Sequence, residues 1–351
     1  MSKLFEPIQF GDLALKNRVV MAPMTRSRST DQAVPTAEMI EYYAQRANAG
    51  LIVAEGTSPS ADGMGYCRTP GIYNAEQIAA WRQVTDAVHA QGGTIVLQLM
   101  HCGRVATVHN KPAGSKTVAP SALKAEVELF TDVVGMAATD MPHELSNAEV
   151  YEVIEDYRKA ALNAREAGFD GVELHGTSGY LPMQFMSENA NQRTDEFGGS
   201  VENRVRFPLL VLKAMSEAIG SGRVGFRFCP ANKFNDVSDS QPAETLQALL
   251  DGIADMNLAY LHIMKAHTRK IDAFAMAREQ FKGGLIINDG FERDTAIEAV
   301  DSGAADAVSF ARHYIANPNL VERLAKGSPL AEFNRDTLYS AGSVGYTDYP
   351  A

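Results

Sequence analysis

Residues 146–175 of the chain read SNAEVYEVIEDYRKAALNAREAGFDGVELH and contain a helix pattern followed directly by a strand pattern. Ser146 and Glu149 have the spacing of a capping box, which predicts that a helix begins there and continues through Val150–Gly168. The run Gly171–His175 is short and mostly apolar, as expected of a buried strand. A helix that leads into a buried strand is the repeating unit of α/β proteins.

The same alternation of helix and strand recurs along the chain. Further helices are predicted to begin at Asn74 and at Pro242. Most strand candidates are continuously apolar, which is typical of parallel strands covered on both faces. Their number is eight, which favours a closed (β/α)8 TIM barrel over an open doubly wound sheet. Besides Gly171–His175 they are Val19–Met24, Leu51–Glu55, Thr94–Leu99, Val224–Phe228, Tyr260–Met264, Gly284–Asn288 and Ala307–Phe310.

Two segments interrupt this alternation. Phe5–Asn17 contains Gly11-Asp12 and is predicted to form an N-terminal β-hairpin that plugs the bottom of the barrel. The stretch from about residue 102 to residue 142 is too long for an ordinary loop, and we expect a lid-like capping excursion after the third strand. We see no linker between domains, so residues 1–351 are expected to form one domain.

The composition restricts the class of protein. The chain has 351 residues, 45% of them hydrophobic, and a net charge of -11. It contains no apolar run long enough for a bilayer, no Lys/Arg run for a nucleic-acid backbone and no secretory signal. Its three cysteines fit no CxxC or zinc spacing. We expect a cytoplasmic enzyme acting on small molecules, as a monomer or small homo-oligomer, without metal, membrane or nucleic acid.

Polar residues follow most of the apolar runs, where the catalytic groups of such barrels lie. Taken alone, each has a structural alternative. His175 could be a hydrogen-bonded structural residue, and Tyr180 could serve packing alone. Arg227 could pair with the core carboxylate of Glu173, and Gln98 could be a structural amide. The strand-end residues are Thr25 with Arg26, Glu55 with Gly56, Gln98 with His101, Glu173 with His175, Arg227, Lys265, Asn288 with Asp289, and Arg312.

An anion site is one function that these residues favour. Arg227 and Arg312, with Gly290 between them, could make an anion site after strands seven and eight, the usual phosphate position of these barrels. Gly290 could instead only complete a turn with Asn288 and Asp289. The strand ends offer no set of His, Asp and Glu residues at metal-binding spacing. A phosphorylated cofactor or substrate is therefore expected.

Ordered motifs over nearly the whole chain resemble those of the Old Yellow Enzyme family. They are LFEPI (residues 4–8), LKNRVVMAPMTR (15–26), QLMHCGR (98–104), GFDGVELH (168–175), GYL (179–181), NQRTDEFGGSVENR (191–204) and GYTDYP (345–350). The resemblance implies an FMN-dependent ene-reductase that uses NADPH or NADH as the reductant.

The resemblance also implies where noncovalent FMN binds. The barrel mouth would hold the flavin, with a fixed positive charge at Arg227 beside its N1/O2 edge. Ala311 stands where the family commonly has glycine, so the phosphate loop is expected to be slightly altered. The implied flavin contacts are Ala22, Pro23, Met24 and Thr25 along the ring, Gly56 and Gln98 at the pyrimidine, and Gly290, Ala311 and Arg312 at the phosphate.

The implied substrate is an activated alkene such as an enone, a maleimide or a nitroalkene. His175 would bind the substrate's carbonyl or nitro oxygen, and Tyr180 would protonate the α-carbon. Met100, His101 and Tyr346 are expected to line the pocket.

The chain departs from the family pattern at two positions. Ser178 stands where relatives have asparagine or histidine as a second donor to the substrate oxygen, and Met100 where many have tryptophan. A serine hydroxyl is shorter than either donor, and methionine makes a more adaptable wall.

Three alternatives remain at this point. A flavin-binding sensor or storage barrel would keep the FMN contacts but reduce alkenes weakly, and retained Tyr180 argues against it. A flavin-free, aldolase-like barrel would bind no FMN. The family branch with an iron–sulfur extension would need more cysteines than Cys67, Cys102 and Cys229.

Overall fold

Eight parallel strands close into a barrel in the computed structural model, which describes residues 2–350. The strands follow one another in chain order, and the eighth pairs with the first, so the sheet has no free edge. The (β/α)8 fold predicted from the sequence is confirmed. The strands are β1 (Val19–Met21), β2 (Leu51–Thr57), β3 (Ile95–Leu99), β4 (Gly171–His175), β5 (Val224–Phe228), β6 (Tyr260–Met264), β7 (Gly284–Asn288) and β8 (Ala307–Phe310).

The strands β4 to β8 have the predicted bounds, whereas the first three differ at one end. β1 ends at Met21, three residues earlier than predicted, because Pro23 has no N–H for the ladder. β2 continues to Thr57 through an irregular pairing with β3 that begins after Ala54. β3 begins at Ile95, one residue late.

Helices cover the outside of the barrel, and local caps explain where several begin. The hydroxyl of Ser146 accepts from the Glu149 N–H at 3.3 Å, and the Glu149 carboxylate accepts from the Ser146 N–H at 2.8 Å, which completes the predicted capping box. The helices are α1 (Ala37–Gln45), α2 (Ala75–Ala90), α3 (Asn147–Glu166), α4 (Leu181–Met186), α5 (Val201–Ile219), α6 (Pro242–Ile253), α7 (Ala273–Gln280), α8 (Arg293–Asp301), α9 (Arg312–Ala316) and α10 (Leu320–Lys326). None of the helices within residues 2–350 has the length and apolarity needed to cross a membrane.

The predicted hairpin is present and closes one end of the barrel. Ile8–Phe10 pairs antiparallel with Leu13–Leu15, and Gly11 has the left-handed angle (φ 50°) that the turn requires. Phe10 packs against Gly284 of β7 so closely that an added Cβ there would lie 2.4 Å from the phenyl ring. The hairpin side chains form one buried cluster with residues at the N-terminal ends of the strands.

The segment predicted as an excursion after β3 carries small strands of its own. Val118–Ala119 pairs with His143–Glu144, and Glu128–Thr131 forms a hairpin with Gly135–Ala138. Buried residues of this segment pack against residues of the barrel mouth. This cluster contains Val105, Ala125 and Leu129 of the excursion together with Met100 and Tyr180. The segment therefore borders the mouth, and its role as a lid remains a prediction.

The structure corrects the placement of His101, which we expected to line the pocket. Side chains alternate along β3, so Gln98 and Met100 point into the barrel and His101 points away from it. The imidazole is fully buried against Tyr157 of α3, and its Nδ1 accepts from the Gly103 N–H at 3.1 Å. His101 therefore belongs to the packing between barrel and helix.

The hairpin plug supplies a stability prediction. We expect Phe10→Ala to lower the free energy of unfolding by about 3–5 kcal/mol, because it leaves a cavity beneath the barrel. Gln9→Ala, on the exposed side of the same strand, should change it by less than about 0.5 kcal/mol. Urea unfolding of both variants tests this, and equal losses would show that the hairpin does not seal the core.

His101 supplies a prediction on pH. Burial, followed by the nearby charge of Lys111, lowers its pKa from 6.5 to about 3. The unfolded chain therefore takes up a proton below pH 6.5 that the folded chain refuses, so stability falls as the pH falls through this window. His101→Asn keeps an acceptor for Gly103 and should remove about 2 kcal/mol of this loss between pH 7.5 and pH 5. Unfolding curves with an unchanged acid slope would contradict the prediction.

Candidate active site

The C-terminal ends of the strands meet in one mouth, and the strand register sets which residues share a level. Gln98 of β3 pairs with Glu173 of β4. One level higher, His175 of β4 pairs with Arg227 of β5, which pairs with His262 of β6. Inward side chains at one level of a barrel converge, so these residues meet inside it.

Four of these residues form a buried polar layer across the barrel. Glu173 accepts from Gln98 Nε2 at 2.8 Å and lies 2.8 Å from His262 Nδ1. Arg227 lies 2.6 Å from His262 Nε2 and donates to Asn288 Oδ1 at 2.9 Å. A guanidinium group can only donate, so a neutral His262 accepts from Arg227 and donates to Glu173. Within residues 2–350, Arg227 and Glu173 form no direct ion pair, because His262 lies between them.

The layer holds one negative and one positive charge. Burial alone would raise the pKa of Glu173, but its contact with His262, the charge of Arg227 and the bond from Gln98 lower that pKa below its ordinary value. Burial, and then Arg227, lowers the pKa of His262 to about 4. Burial lowers the pKa of Arg227, which stays charged because arginine is not deprotonated in proteins. The negative charge of Glu173 and the positive charge of Arg227 are therefore connected through the neutral imidazole of His262.

His175 lies beside Arg227, with which it is paired in the sheet, at the end of β4. It is only 7% exposed, and its Nδ1 is buried without a hydrogen-bond partner in the described part of the chain. Burial, and then the charge of Arg227, lowers its pKa to about 3. The imidazole is therefore neutral at physiological pH and can donate one hydrogen bond. Its ring centroid lies 5.0 Å from that of Tyr180.

The loop between β4 and α4 returns the chain toward His175. Ser178 (φ 61°) and Gly179 (φ 74°) are both left-handed, and a Cβ at Gly179 would lie 2.4 Å from the Phe234 carbonyl oxygen. The Ser178 carbonyl accepts from Asn235 Nδ2 at 2.9 Å. Ser178 itself is partly exposed. The loop therefore has a defined backbone, and it carries the partly exposed Ser178 hydroxyl beside the mouth.

Two residues of the site could not be inferred from the sequence. Tyr66, in the loop after β2, has its hydroxyl 3.2 Å from that of Tyr180, and the two rings meet edge to face. Asn235, in the loop after β5, donates to the Tyr66 hydroxyl at 3.3 Å. Neither follows a strand directly, and neither occurs in a periodic pattern. Only their residue types, a phenol and an amide, were available as a signal.

The ends of β2 and β3 bring together Gly56 and Met100. A Cβ added at Gly56 would lie 2.5 Å from Met100 Sδ, so a larger residue there would displace the methionine side chain. The Ala22 N–H donates to the Phe310 carbonyl at 3.0 Å as the chain leaves β1. Residues 23–25, which follow, are partly exposed.

The predicted phosphate contacts lie beside one another. β7 and β8 end together because Asn288 pairs with Ser309. Gly290 (φ 76°) comes two residues after Asn288, and no atom approaches the position of a Cβ there. Ala311 comes two residues after Ser309 and is followed by the exposed Arg312. This end of the mouth offers backbone N–H groups and a cation to an anion.

Tyr346 belongs to a buried cluster held by two arginines. Arg26 and Arg28 donate to main-chain carbonyl groups between residues 337 and 345, which anchors the C-terminal segment. The Tyr346 ring stacks on Tyr42 at 4.0 Å between centroids, and both guanidinium groups lie against it. The ring is fully buried. A pocket-lining role for Tyr346 remains a prediction.

The donors at the mouth suit FMN, which combines a flat ring, a polar edge and a phosphate. Gln98 supplies an amide and Arg227 a fixed cation. Gly290 and Arg312 supply an anion site. Glycine at position 56 leaves the end of β2 without a side chain. The residues present therefore fit the cofactor that the resemblance implies.

Comparison with known proteins agrees with this fit. Residues 3–331 match the model of the NADH:flavin oxidoreductase / NADH oxidase family. A "probable flavin mononucleotide-dependent alkene reductase" of Leishmania infantum is 41% identical over 99% of this chain and 97% of its own. The 12-oxophytodienoate reductase 1 of Oryza sativa subsp. japonica is 40% identical over 99% of this chain and 92% of its own.

Solved structures give the same result. Morphinone reductase superposes with a TM-score of 0.95 at 44% identity, covering 99% of this chain and 96% of its own. The Old Yellow Enzyme homologue from Zymomonas mobilis superposes with a TM-score of 0.95 at 39% identity, covering 99% of both chains. The chain therefore belongs to the NADH:flavin oxidoreductase / NADH oxidase family, that of the Old Yellow Enzymes, and is an FMN-dependent oxidoreductase.

Proposed function

We propose that this enzyme reduces the activated double bond of an alkene whose conjugated oxygen is bound by His175 and whose α-carbon is protonated by Tyr180. The observation that carries the proposal is the pairing of these two residues. Their rings lie 5.0 Å apart at the mouth, where the buried His175 Nδ1 lacks a partner within residues 2–350. This proximity supports the assignment of His175 as hydrogen-bond donor and Tyr180 as proton donor to one substrate.

The reaction class agrees with the relatives, which are ene-reductases acting on activated C=C bonds. Bound FMN, reduced by NADH or NADPH, supplies the hydride that the β-carbon accepts. The chain's own residues must hold the oxygen, supply the proton and exclude water. His175 would hold the oxygen as a neutral hydrogen-bond donor. Its hydrogen bond would strengthen as negative charge develops on the oxygen.

Tyr180 has the properties of a proton donor at this site. Its side chain is 8% exposed, and burial, with the neighbouring Tyr66, raises its pKa well above the ordinary value. The phenol therefore stays protonated until the reduced substrate demands the proton. A weak acid such as this phenol can protonate the strongly basic α-carbon that hydride transfer leaves on the substrate.

Ser178 is the position where we propose that this enzyme differs from its relatives. Its hydroxyl occupies the place of their second oxygen-binding donor but is shorter than an amide. Substrates that depend on two donors should therefore react slowly. Strongly polarised alkenes such as maleimides and nitroalkenes should depend less on this position.

The role of Tyr180 can be tested by half-reactions. We expect Tyr180→Phe to slow flavin reoxidation by 2-cyclohexenone about 10²–10⁴-fold, the usual range for a general acid, while reduction by NADPH stays nearly normal. Stopped-flow absorbance of the flavin measures both steps. Tyr151→Phe, on the exposed face of α3, serves as the control. Equal loss in both half-reactions would show that Tyr180 is structural.

Ser178 can be tested by restoring the amide. Asparagine tolerates the left-handed backbone angle, so Ser178→Asn should keep the loop and the FMN content. We expect kcat/KM for 2-cyclohexenone to rise by up to about 10²-fold, the lower end of the value of one oxyanion donor, with a smaller gain for a maleimide. Ser178→Gly, which removes the hydroxyl, is the matched control and should be slower than wild type. No gain, or an equal gain on both substrates, would contradict the prediction.

A further inference from the structure

Tyr66 is the one polar group of the described chain that contacts the Tyr180 hydroxyl. The two phenol oxygens lie 3.2 Å apart, and Asn235 donates to the Tyr66 oxygen at 3.3 Å. The rings meet edge to face with centroids 6.1 Å apart, which fixes this geometry. Tyr180 thus has a single hydrogen-bonding neighbour, which can itself accept or donate a proton.

The two phenols differ in their access to water. Tyr180 is buried and faces the place where the substrate would lie, beside His175. Tyr66 is partly exposed and lies in the loop after β2. A bound substrate would cover the small exposed part of Tyr180. Tyr66 would keep its own contact with solvent.

We propose that Tyr66 is a relay residue that supplies a proton to Tyr180 as Tyr180 protonates the substrate. The proposal rests on the function proposed above. The Tyr180 O–H bond breaks as the α-carbon–H bond forms, and the Tyr66 hydroxyl turns to donate its proton to the Tyr180 oxygen. The Tyr66 phenolate then takes a proton from water, and the hydroxide formed is neutralised by the buffer. The substrate gains one hydride and one proton, and both tyrosines end as they began.

The contact between the two phenols favours this transfer. Burial raises the pKa of Tyr66 to about 12, and the bonds from Tyr180 and Asn235 hold it from rising further. Burial and Tyr66 also raise the pKa of Tyr180 well above its ordinary value. A Tyr180 phenolate is therefore a strong base, and the nearest proton is on the Tyr66 hydroxyl, 3.2 Å away. The Asn235 N–H stabilises the charge that this transfer leaves on Tyr66.

Other groups near Tyr180 cannot take this role. Cys102 packs in the same cluster, but it makes no hydrogen bond to Tyr180 within residues 2–350. His175 is neutral and engaged with the substrate oxygen in the proposed reaction. The Asn235 amide donates a hydrogen bond but is far too weak an acid to give up its proton. Tyr66 is left as the group with both the contact and the proton.

The test is Tyr66→Phe in the FMN-loaded enzyme, with Tyr73→Phe as the control from the same loop. Tyr73 is partly exposed, and its hydroxyl lies 3.4 Å from Met64 Sδ. We expect Tyr66→Phe to slow flavin reoxidation by 2-cyclohexenone about 10²-fold, the lower end of the general-acid range. Reduction by NADPH should be unchanged. The control should match wild type in both steps.

A second readout separates a relay from a merely structural role. If proton delivery becomes the slowest step in Tyr66→Phe, the solvent deuterium isotope effect on flavin reoxidation should exceed that of wild type. A slowed step without a larger isotope effect would overturn the relay, since it would show only misplacement of substrate or Tyr180. So would a rate within about threefold of wild type, far below the general-acid range. If Tyr180→Phe itself has no effect, the proposed function fails instead.

Discussion

A buried carboxylate and a buried guanidinium, joined by a neutral imidazole, set the conditions for everything above them in the barrel. Glu173 and Arg227 each contact His262 inside the sheet, where water is excluded. An uncompensated charge in such a place costs several kcal/mol, so neither group can move without the other. Arg227 is thereby fixed in position and in charge. A fixed cation next to the mouth favours bound groups that carry negative charge or develop it.

The same cation controls the chemistry of His175. A histidine at the end of a strand could act as an acid, but burial and Arg227 keep this one neutral over the range in which enzymes usually work. It can therefore polarise an oxygen but cannot supply the proton. In the proposed reaction Tyr180, whose pKa is raised, supplies it. Burial with Arg227 at His175, and burial with Tyr66 at Tyr180, therefore separate the two proposed roles. The apolar hairpin fills the other end of the barrel, so the polar site lies at the mouth.

The sequence predicted the barrel and its strand-end residues because both depend on periodic patterns. Continuous apolar runs mark buried parallel strands, and the residue just past each run lies at the mouth. The error at His101 has the same origin, since alternation sends every second side chain outward and a list of residues after a strand ignores this. Tyr66 and Asn235 lie in loops that carry no period. Their meeting with Tyr180 depends on how separate loops fold together, which a single sequence does not encode locally.

The backbone at position 178 limits what evolution can place there. A left-handed residue between His175 and Tyr180 must be small or capable of local hydrogen bonding, and Asn235 holds its carbonyl in that orientation. Asparagine, histidine and serine all meet this requirement better than a β-branched residue would. An exchange among these three residues therefore changes the length of the side chain at position 178 without changing the loop that leads to Tyr180. If Ser178 and Tyr180 have the roles proposed for them, substrate preference can change at this position while proton delivery stays as it is, because the first depends on the Ser178 side chain and the second on the backbone.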